Sequence, residues 1–392
     1  MIARLRMDPT VRAALDQVRA TADVETDLAR VIWSVLAEPG DGVTGALIAE
    51  LGAVGALEVA LDEREGDIGA TSRAVAEGRS RWGTRADPCR VVDAITAARD
   101  VGARLVLPGD AHWPSALDDL GVHAPTLLWV RGDTALLTTE PRVAIVGARA
   151  ASGYGEMLAA DFAGDLATGG AVIVSGGAYG IDGAAHRAAL SVEGRTIAFL
   201  AGGVDRAYPQ GHQQLLRRIV DTGAVVSEVP CGTAPTKWRF LSRNRLIAAL
   251  SHATVVVEAG WRSGSLNTAG HAAALGRPLG AVPGPVTSAA SAGCHRLLRE
   301  YDARCVTTPA EIRELWGVVG DAGAVSTRLD PDQVRLLDAM SIRASSSVVE
   351  LSRRSGLAPE RISALLGLWE LDGRVGRDER GWRRTAATDS RG

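Results

Sequence analysis

The stretch that most limits what this chain can fold into begins at Arg142 and reads RVAIVGARAASGYGEMLAADFAGDLATGGAVIVSGGAYGIDGAAH. It runs as buried strand, glycine-rich turn, amphipathic helix, second buried strand and second glycine-rich turn opening a new helix. That is the order of a nucleotide- or phosphate-binding α/β domain. Further strand-length apolar runs follow, TIAFLAGG, AVVSEV, TVVVEAG and PLGAVPG, separated by helical patterns. Runs apolar on both faces belong to strands covered on both sides. The expected fold class is therefore α/β, a doubly wound and mostly parallel sheet with helices on each face.

In such sheets ligands gather beyond the carboxyl ends of the strands, so the residues after each strand read together as one site. They are Gly147-Ala148-Arg149 with Ser152, Ser175-Gly176-Gly177, Gly202 to Arg206, the segment after Glu228, Glu258 to Ser265, and Pro283-Gly284-Pro285. Glycine allows backbone to approach a ligand closely and to turn into a helix whose first amides are unpaired. A dinucleotide fingerprint is not met. Arg149 stands where G-x-G-x-x-G needs its second glycine, and Ser175-Gly176 stands where an acid would hold a ribose. The same arginine, beside an open helix start at Tyr154, suits a phosphate held bidentately.

Other chemistries are excluded or left open by particular residues. The sole lysine, Lys237, lies in Pro235-Thr236-Lys237-Trp238 and not in G-K-[ST], so there is no Walker ATPase. No G-x-S-x-G, H-E-x-x-H or paired carboxylate sits at the strand ends. Asp182 and His186, one helical turn apart, read as an acid–base couple or as a helix start with a packed histidine, the second being the ordinary outcome. Glu258 reads as a lone catalytic carboxylate or as a residue that orients Ser263 or Arg262. The four cysteines, Cys89, Cys231, Cys294 and Cys305, are far apart and are expected as packed thiols, with no metal and no cofactor.

Charge narrows the partner. Residues 1–139 carry 14 basic and 21 acidic side chains, whereas residues 140–315 carry 17 and 14, so an anionic partner is expected on the middle segment. Between Glu228 and Glu258, 29 residues hold Lys237, Arg239, Arg243 and Arg245 and no acid, with Trp238 and Phe240 interleaved. Cations neutralise phosphates, and aromatic faces stack bases at about 1–3 kcal/mol each. The segment is either a single-strand groove or a basic surface helix with two aromatics tucked into the core.

Four ordered motifs carry a resemblance: SGGAYGIDGAAH (Ser175–His186), FLSRNRLIAALS (Phe240–Ser251), VVVEAGWRSGSLNTA (Val255–Ala269) and AVPGPVTSAASAGCHRLL (Ala281–Leu298). Over about residues 102–310 the chain resembles the DNA-processing protein A (DprA/Smf) family. The resemblance implies an extended Rossmann-like core that dimerises, binds single-stranded DNA and helps load the RecA recombinase during natural transformation. The family's G-S-R phosphate loop falls on Gly147-Ala148-Arg149, its groove lysine and stacking phenylalanine on Lys237 and Phe240, and its S-G-S turn on Ser263-Gly264-Ser265. The nucleic-acid-binding residues so expected are Gly147, Arg149, Ser152, Gly176, Gly177, Lys237, Arg239, Phe240, Arg243, Asn244, Arg262, Ser263 and Gly264. Two positions depart from the family: Ala148 lacks the serine hydroxyl, and Tyr179 replaces the arginine of S-G-x-A-R-G-I-D, with Arg206 and Arg262 as candidates to supply the lost charge.

The flanks read separately. Residues 1–101 are expected to be a small helical domain of the SAM or helix-hairpin-helix kind, broken at Pro39-Gly40-Asp41-Gly42 and at Gly52-Ala53-Val54-Gly55. The second break is a phosphate-contacting turn or a structural one; the absence of a neighbouring cation favours the structural turn. Residues 102–316 form the Rossmann-like domain, in which 102–139 is a lead-in connector with strands at RLVLP and TLLWVRG. Residues 317–331 read as a linker. Residues 332–386 read as helix, helix-turn-helix and hairpin, a winged-helix-like domain. Its second paired helix offers one arginine and two glutamates over Glu360–Glu370, which favours protein contact or self-association over base reading.

The expected function is a non-catalytic single-stranded DNA-binding protein, cytoplasmic and homodimeric through the Rossmann-like domain, that protects single strands and works with RecA and a single-strand-binding protein. The alternative is a nucleotide hydrolase of the lysine-decarboxylase-like type, whose P-G-G-x-G-T-x-x-E motif is not found at Glu258–Ser265. A transcription regulator acting through the winged helix is a third reading. No membrane is expected, because no apolar run reaches the roughly 18–20 residues needed to span a bilayer.

Overall fold

The computed structural model describes residues 9–19, 23–61, 72–317, 331–371 and 373–385. The chain divides into two compact units, Met1–Gly320 and Asp321–Gly392. Most of the linker expected at 317–331 lies outside the described residues.

The first unit opens with helices α1 (Pro9–Val18), α2 (Val24–Leu36), α3 (Gly42–Ala60), α4 (Ser72–Gly83) and α5 (Pro88–Asp100). Asp23, Asp41 and Asp87 accept backbone N–H bonds at the starts of α2, α3 and α5, satisfying amides that a helix start leaves unpaired. Helix α3 is broken at Gly52, whose φ of 71° and ψ of 168° are open to glycine, at the expected Gly52–Gly55 break. The Trp33 indole donates to Ala53 O at 3.0 Å, which ties this turn into the helical core. One expectation is corrected here: α3 is long and apolar enough, by length and composition, to cross a bilayer. Its Leu47, Ala56, Leu57 and Val59 are instead buried in the unit's own core.

The sheet strands are β1 (Arg104–Val106), β2 (Leu128–Gly132), β3 (Arg142–Val146), β4 (Val172–Ser175), β5 (Thr196–Phe199), β6 (Ala224–Ser227), β7 (Ala253–Val256), β8 (Leu279–Ala281) and β9 (Arg304–Cys305). They lie in the order β1-β2-β6-β5-β4-β3-β7-β8-β9. From β6 to β9 every pairing is parallel; β1 and β2 extend the edge antiparallel. Each of the six strands expected from β3 to β8 is present, and the two lead-in strands join the same sheet. Successive residues enter opposite cores, as a period of two requires: Val143 and Ile145 pack on one face, Ala144 and Val146 on the other.

Helices α6 (Gly153–Thr168) and α7 (Ile181–Ser191) cover the first of these faces. Helices α9 (Lys237–Leu250), α10 (Ser265–Ala274) and α11 (Ala292–Glu300) cover the second. Helix α8 (Gln213–Thr222) shares a core with the N-terminal helices and with Trp129, Ala198 and Val225. Helix α12 (Pro309–Glu314) closes the unit under a capping box at Thr308 and Glu311. Cys231 and Cys294 are buried thiols, but Cys89 and Cys305 are exposed, which corrects the expectation for those two.

The second unit holds α13 (Pro331–Ala339), α14 (Val348–Ser355), α15 (Pro359–Leu371) and the hairpin β10 (Val375–Asp378) with β11 (Gly381–Arg384). Leu336, Leu351, Ile362, Leu366, Trp369 and Val375 form its core. This is the order expected for a winged helix.

An ion pair fastens the N-terminal helices to the sheet. Arg245 on α9 donates to both Glu228 oxygens at 2.7 and 2.8 Å and to His123 O at 2.9 Å, while the Gly40 amide donates to Glu228 at 3.3 Å. Both side chains are nearly enclosed. Removing one partner of such a pair leaves a buried unpaired charge, at a cost of about 3–5 kcal/mol. Glu228→Ala should lower stability by that amount in chemical denaturation, and adding Arg245→Leu should restore part of it. An unchanged denaturation midpoint for Glu228→Ala would rule out this anchoring role.

Candidate nucleic-acid interface

The chain leaves β3 toward β4, β5 and β6 and then returns to β7 on the other side of β3. Helices from the two halves diverge at that reversal, and a cleft of about 760 Å³ opens beyond the carboxyl ends of β3 and β7. Gly147, Ala148 and Arg149 line it from the β3 turn, Arg262, Ser263 and Gly264 from the β7 turn, and Lys237, Phe240 and Asn244 from α9.

Backbone contacts dictate the glycines of these turns. The Ala148 amide donates to Glu258 O at 2.7 Å, and a Cβ on Gly147 would lie 2.8 Å from that same oxygen. Gly180 has a φ of 70°, and a Cβ there would lie 2.3 Å from Ala148 O. Glu258 is buried and accepts from the Ser152 amide and hydroxyl, each at 2.8 Å, while Ser152 Oγ accepts the Gly155 amide at the start of α6. Both carboxylate oxygens of Glu258 are thus bonded to the loop that carries Arg149.

The cations of the basic segment separate into two kinds. Arg149 lies 4.6 Å over the Phe240 ring, Tyr208 packs on the same ring at 5.3 Å, and Lys237 lies 5.7 Å from the Trp238 ring. Arg149, Lys237 and Arg262 have no carboxylate partner among the described residues. Arg239 instead grips Glu38 with two bonds of 2.9 Å, and Arg245 grips Glu228. Burial works against ionisation of Glu38, but its bonds to Arg239 and Arg85 prevail and hold its carboxyl below the ordinary value.

Arg243 is only 6% exposed and donates to the carbonyls of Gly176, at 2.7 Å, and of Phe199. Burial pushes its guanidinium down to about 10, against the attraction of Asp182, so it stays charged at neutral pH. Asp182, the one acid among the residues lining the cleft, is raised by burial, with Arg243 and the amides of Gly176 and Ala178 opposing.

A family model described as DNA recombination-mediator protein A matches residues 104–317, and one described as the DprA winged helix domain matches residues 321–379. The chain belongs to the DNA recombination-mediator protein A family. It is 42% identical over 359 residues to a DprA-named protein of Mycobacterium tuberculosis, covering 87% of this chain and 90% of that one. The crystal structure of DNA processing protein A from Streptococcus pneumoniae superimposes with a TM-score of 0.60 at 30% identity, covering 75% of this chain and 98% of that one. That of DNA processing protein A from Helicobacter pylori, from a study of its single-stranded DNA binding mode, gives 0.50 at 32% identity, covering 54% and 94%.

Of the family-motif residues, Gly147, Arg149, Lys237, Phe240, Arg243, Asn244, Arg262, Ser263 and Gly264 line the cleft together. Four others that were expected as contacts do not. Ser152 caps α6 and bonds Glu258, Gly176 and Gly177 hold Arg243 and His212 through their carbonyls, and Arg239 is engaged with Glu38. Arg243 lines the cleft while its Nη1 donates to the carbonyls at the ends of β4 and β5 and its Nε to Asn244 Oδ1. Tyr179 packs edge-on against His212 at 4.7 Å, outside the cleft lining. Glu258 orients Ser152 and not Ser263 or Arg262. Tyr208, which sequence reasoning missed, is an exposed aromatic close after the β5 end, and a search for aromatics beyond strand ends finds it.

Asp182 and His186 are not an acid–base couple. Asp182 accepts two backbone amides, whereas His186 is fully buried and bonded to Thr196 Oγ1 at 2.7 Å. Burial, with the charges of His212, Arg243 and Arg187, pushes its imidazole down to about 3. Between about pH 6.5 and pH 3 the unfolded chain gains a proton that the folded one refuses, so stability is lost as pH falls through that window, by up to about 1.4 kcal/mol per pH unit. His186→Gln should flatten this acid limb in urea unfolding at about pH 4 and about pH 7. Equal pH slopes for variant and wild type would count against it.

Proposed function

We propose that the cleft at the β3/β7 reversal holds single-stranded DNA, with phosphates on Arg149, Lys237 and Arg262 and a base stacked near Phe240. The observation that carries this reading is that Arg149, Lys237 and Arg262, none with a carboxylate partner among the described residues, line one cleft with Phe240, and that its one lining acid, Asp182, is buried. Exposed cations without partners are what phosphates displace counterions from, and a ring face accepts any base. The Trp238 ring is 72% exposed and Phe240 is only partly buried at the cleft, which speaks against two aromatics tucked into the core. The single-stranded DNA binding mode studied in the Helicobacter pylori protein supports the same reading.

The protein acts without catalysis as a recombination mediator, passing bound strands to RecA in the cytoplasm, with a single-strand-binding protein as a further partner. It works as a homodimer through the Rossmann-like domain. In this reading residues 1–101 are a helical domain, 102–316 the strand-binding domain and 332–386 a protein-contact domain; exposed Leu368 and Leu371 on α15 suit the last role. Nucleotide hydrolysis is disfavoured, because the strand-end carboxylate of Glu258 is bonded to Ser152.

Fluorescence anisotropy with a labelled single strand over a salt series tests this. Lys237→Ala and Phe240→Ala should each weaken binding about tenfold, whatever the sequence, by losing about 1–3 kcal/mol. Lys237→Ala should also reduce the slope of log affinity against log salt by about 0.7, whereas Arg239→Ala should leave that slope alone. Wild-type affinity at low salt in both Lys237→Ala and Phe240→Ala would overturn the groove.

A further inference from the structure

Beside the main cleft lies a second concavity of about 450 Å³, bounded by Arg206, Ala207, Tyr208, Gln210, Gln213 and Pro235. Tyr208 and Pro235 line both cavities, so the two meet at one shared ridge. The Tyr208 ring packs on Phe240 at 5.3 Å and is itself 44% exposed. Gln210 and Gln213 are exposed, three residues apart where a short 3-10 turn runs into α8, and both line the concavity. No side-chain hydrogen bond of either glutamine occurs among the described residues. Arg206 is largely exposed, and its nearest carboxylate, Asp205 at 3.6 Å, also accepts the Gly232 amide at 2.9 Å.

We propose that this concavity is a second nucleotide subsite of the same strand path, taking the base of a nucleotide adjacent to the one in the main cleft. The inference rests on the reading of the cleft as a single-strand groove. A carboxamide offers a donor and an acceptor side by side, the pairing that base edges present, and two such groups flank the concavity. Tyr208 supplies a ring face and Arg206 a charge for the intervening phosphate. The volume is within the range of small-ligand sites. The polar side chains of the concavity are exposed and its aromatic is half so, which leaves them open to a ligand.

The full chain, in Gln210→Ala/Gln213→Ala, Arg206→Ala and Lys237→Ala forms, is titrated with a labelled oligothymidylate and a labelled oligoadenylate over a salt series. Thermal melting followed by circular dichroism confirms that each variant is folded. The double glutamine variant should lose about tenfold in affinity with an unaltered salt slope, because only uncharged contacts are removed. Arg206→Ala should reduce the slope by about 0.7. If wild type binds, Lys237→Ala weakens it, and both the double glutamine variant and Arg206→Ala bind like wild type, the subsite is overturned while the main cleft stands. If wild type binds neither oligonucleotide, the groove itself is overturned, and the subsite with it.

Discussion

The reversal of strand order at β3 shapes this protein more than any single contact. Because β4 is added on one side of β3 and β7 on the other, α6 and α7 cover one face while α9, α10 and α11 cover the other, and the cleft opens where the two sets part, beyond the ends of β3 and β7. The gap would collapse or fill with water unless its turns were held. They are held by backbone, through the Ala148 amide on Glu258 O, and by the Glu258 carboxylate on Ser152. A buried carboxylate is tolerable when charge-assisted bonds take up its oxygens. The most suspicious acid of the sequence is therefore the brace of the loop that presents Arg149.

Helix α9 divides its work along its length. Its first turn is exposed and bears Lys237 and Trp238, whereas Arg243 to Leu250 are buried. Of its cations, Arg239 and Arg245 tie the turn at residues 38–41 to the sheet, and Arg243 braces the ends of β4 and β5. The groove wall and the N-terminal helices consequently share one support.

The fold was largely legible because its signals are local. Doubly apolar runs mark strands covered on both faces, glycines mark turns where another backbone passes within van der Waals distance, and the C-terminal order of helices and hairpin reads directly as a winged helix. The short β9, two exposed residues at the sheet edge, carries no such pattern and was not anticipated. Helix α3 starts after the expected break at residues 39–42 and kinks at the expected one at Gly52, yet residues 42–60 carry on as one apolar run across that kink, which two separate short helices would not provide.

The sequence by itself determined the sheet, the strand ends that bear the ligand site, the concentration of positive charge between Glu228 and Glu258, and the family to which these motifs point. Only the tertiary structure decided which charges are free. Arg239 and Arg245 look the same as Lys237 in a string of residues, but their partners, Glu38 and Glu228, lie 201 and 17 residues away. An ion pair is made by spatial approach and enclosure, which residue spacing does not encode, so the groove could be seen in the sequence as a basic segment but not as a cleft that Arg149, Lys237 and Arg262 line with Phe240.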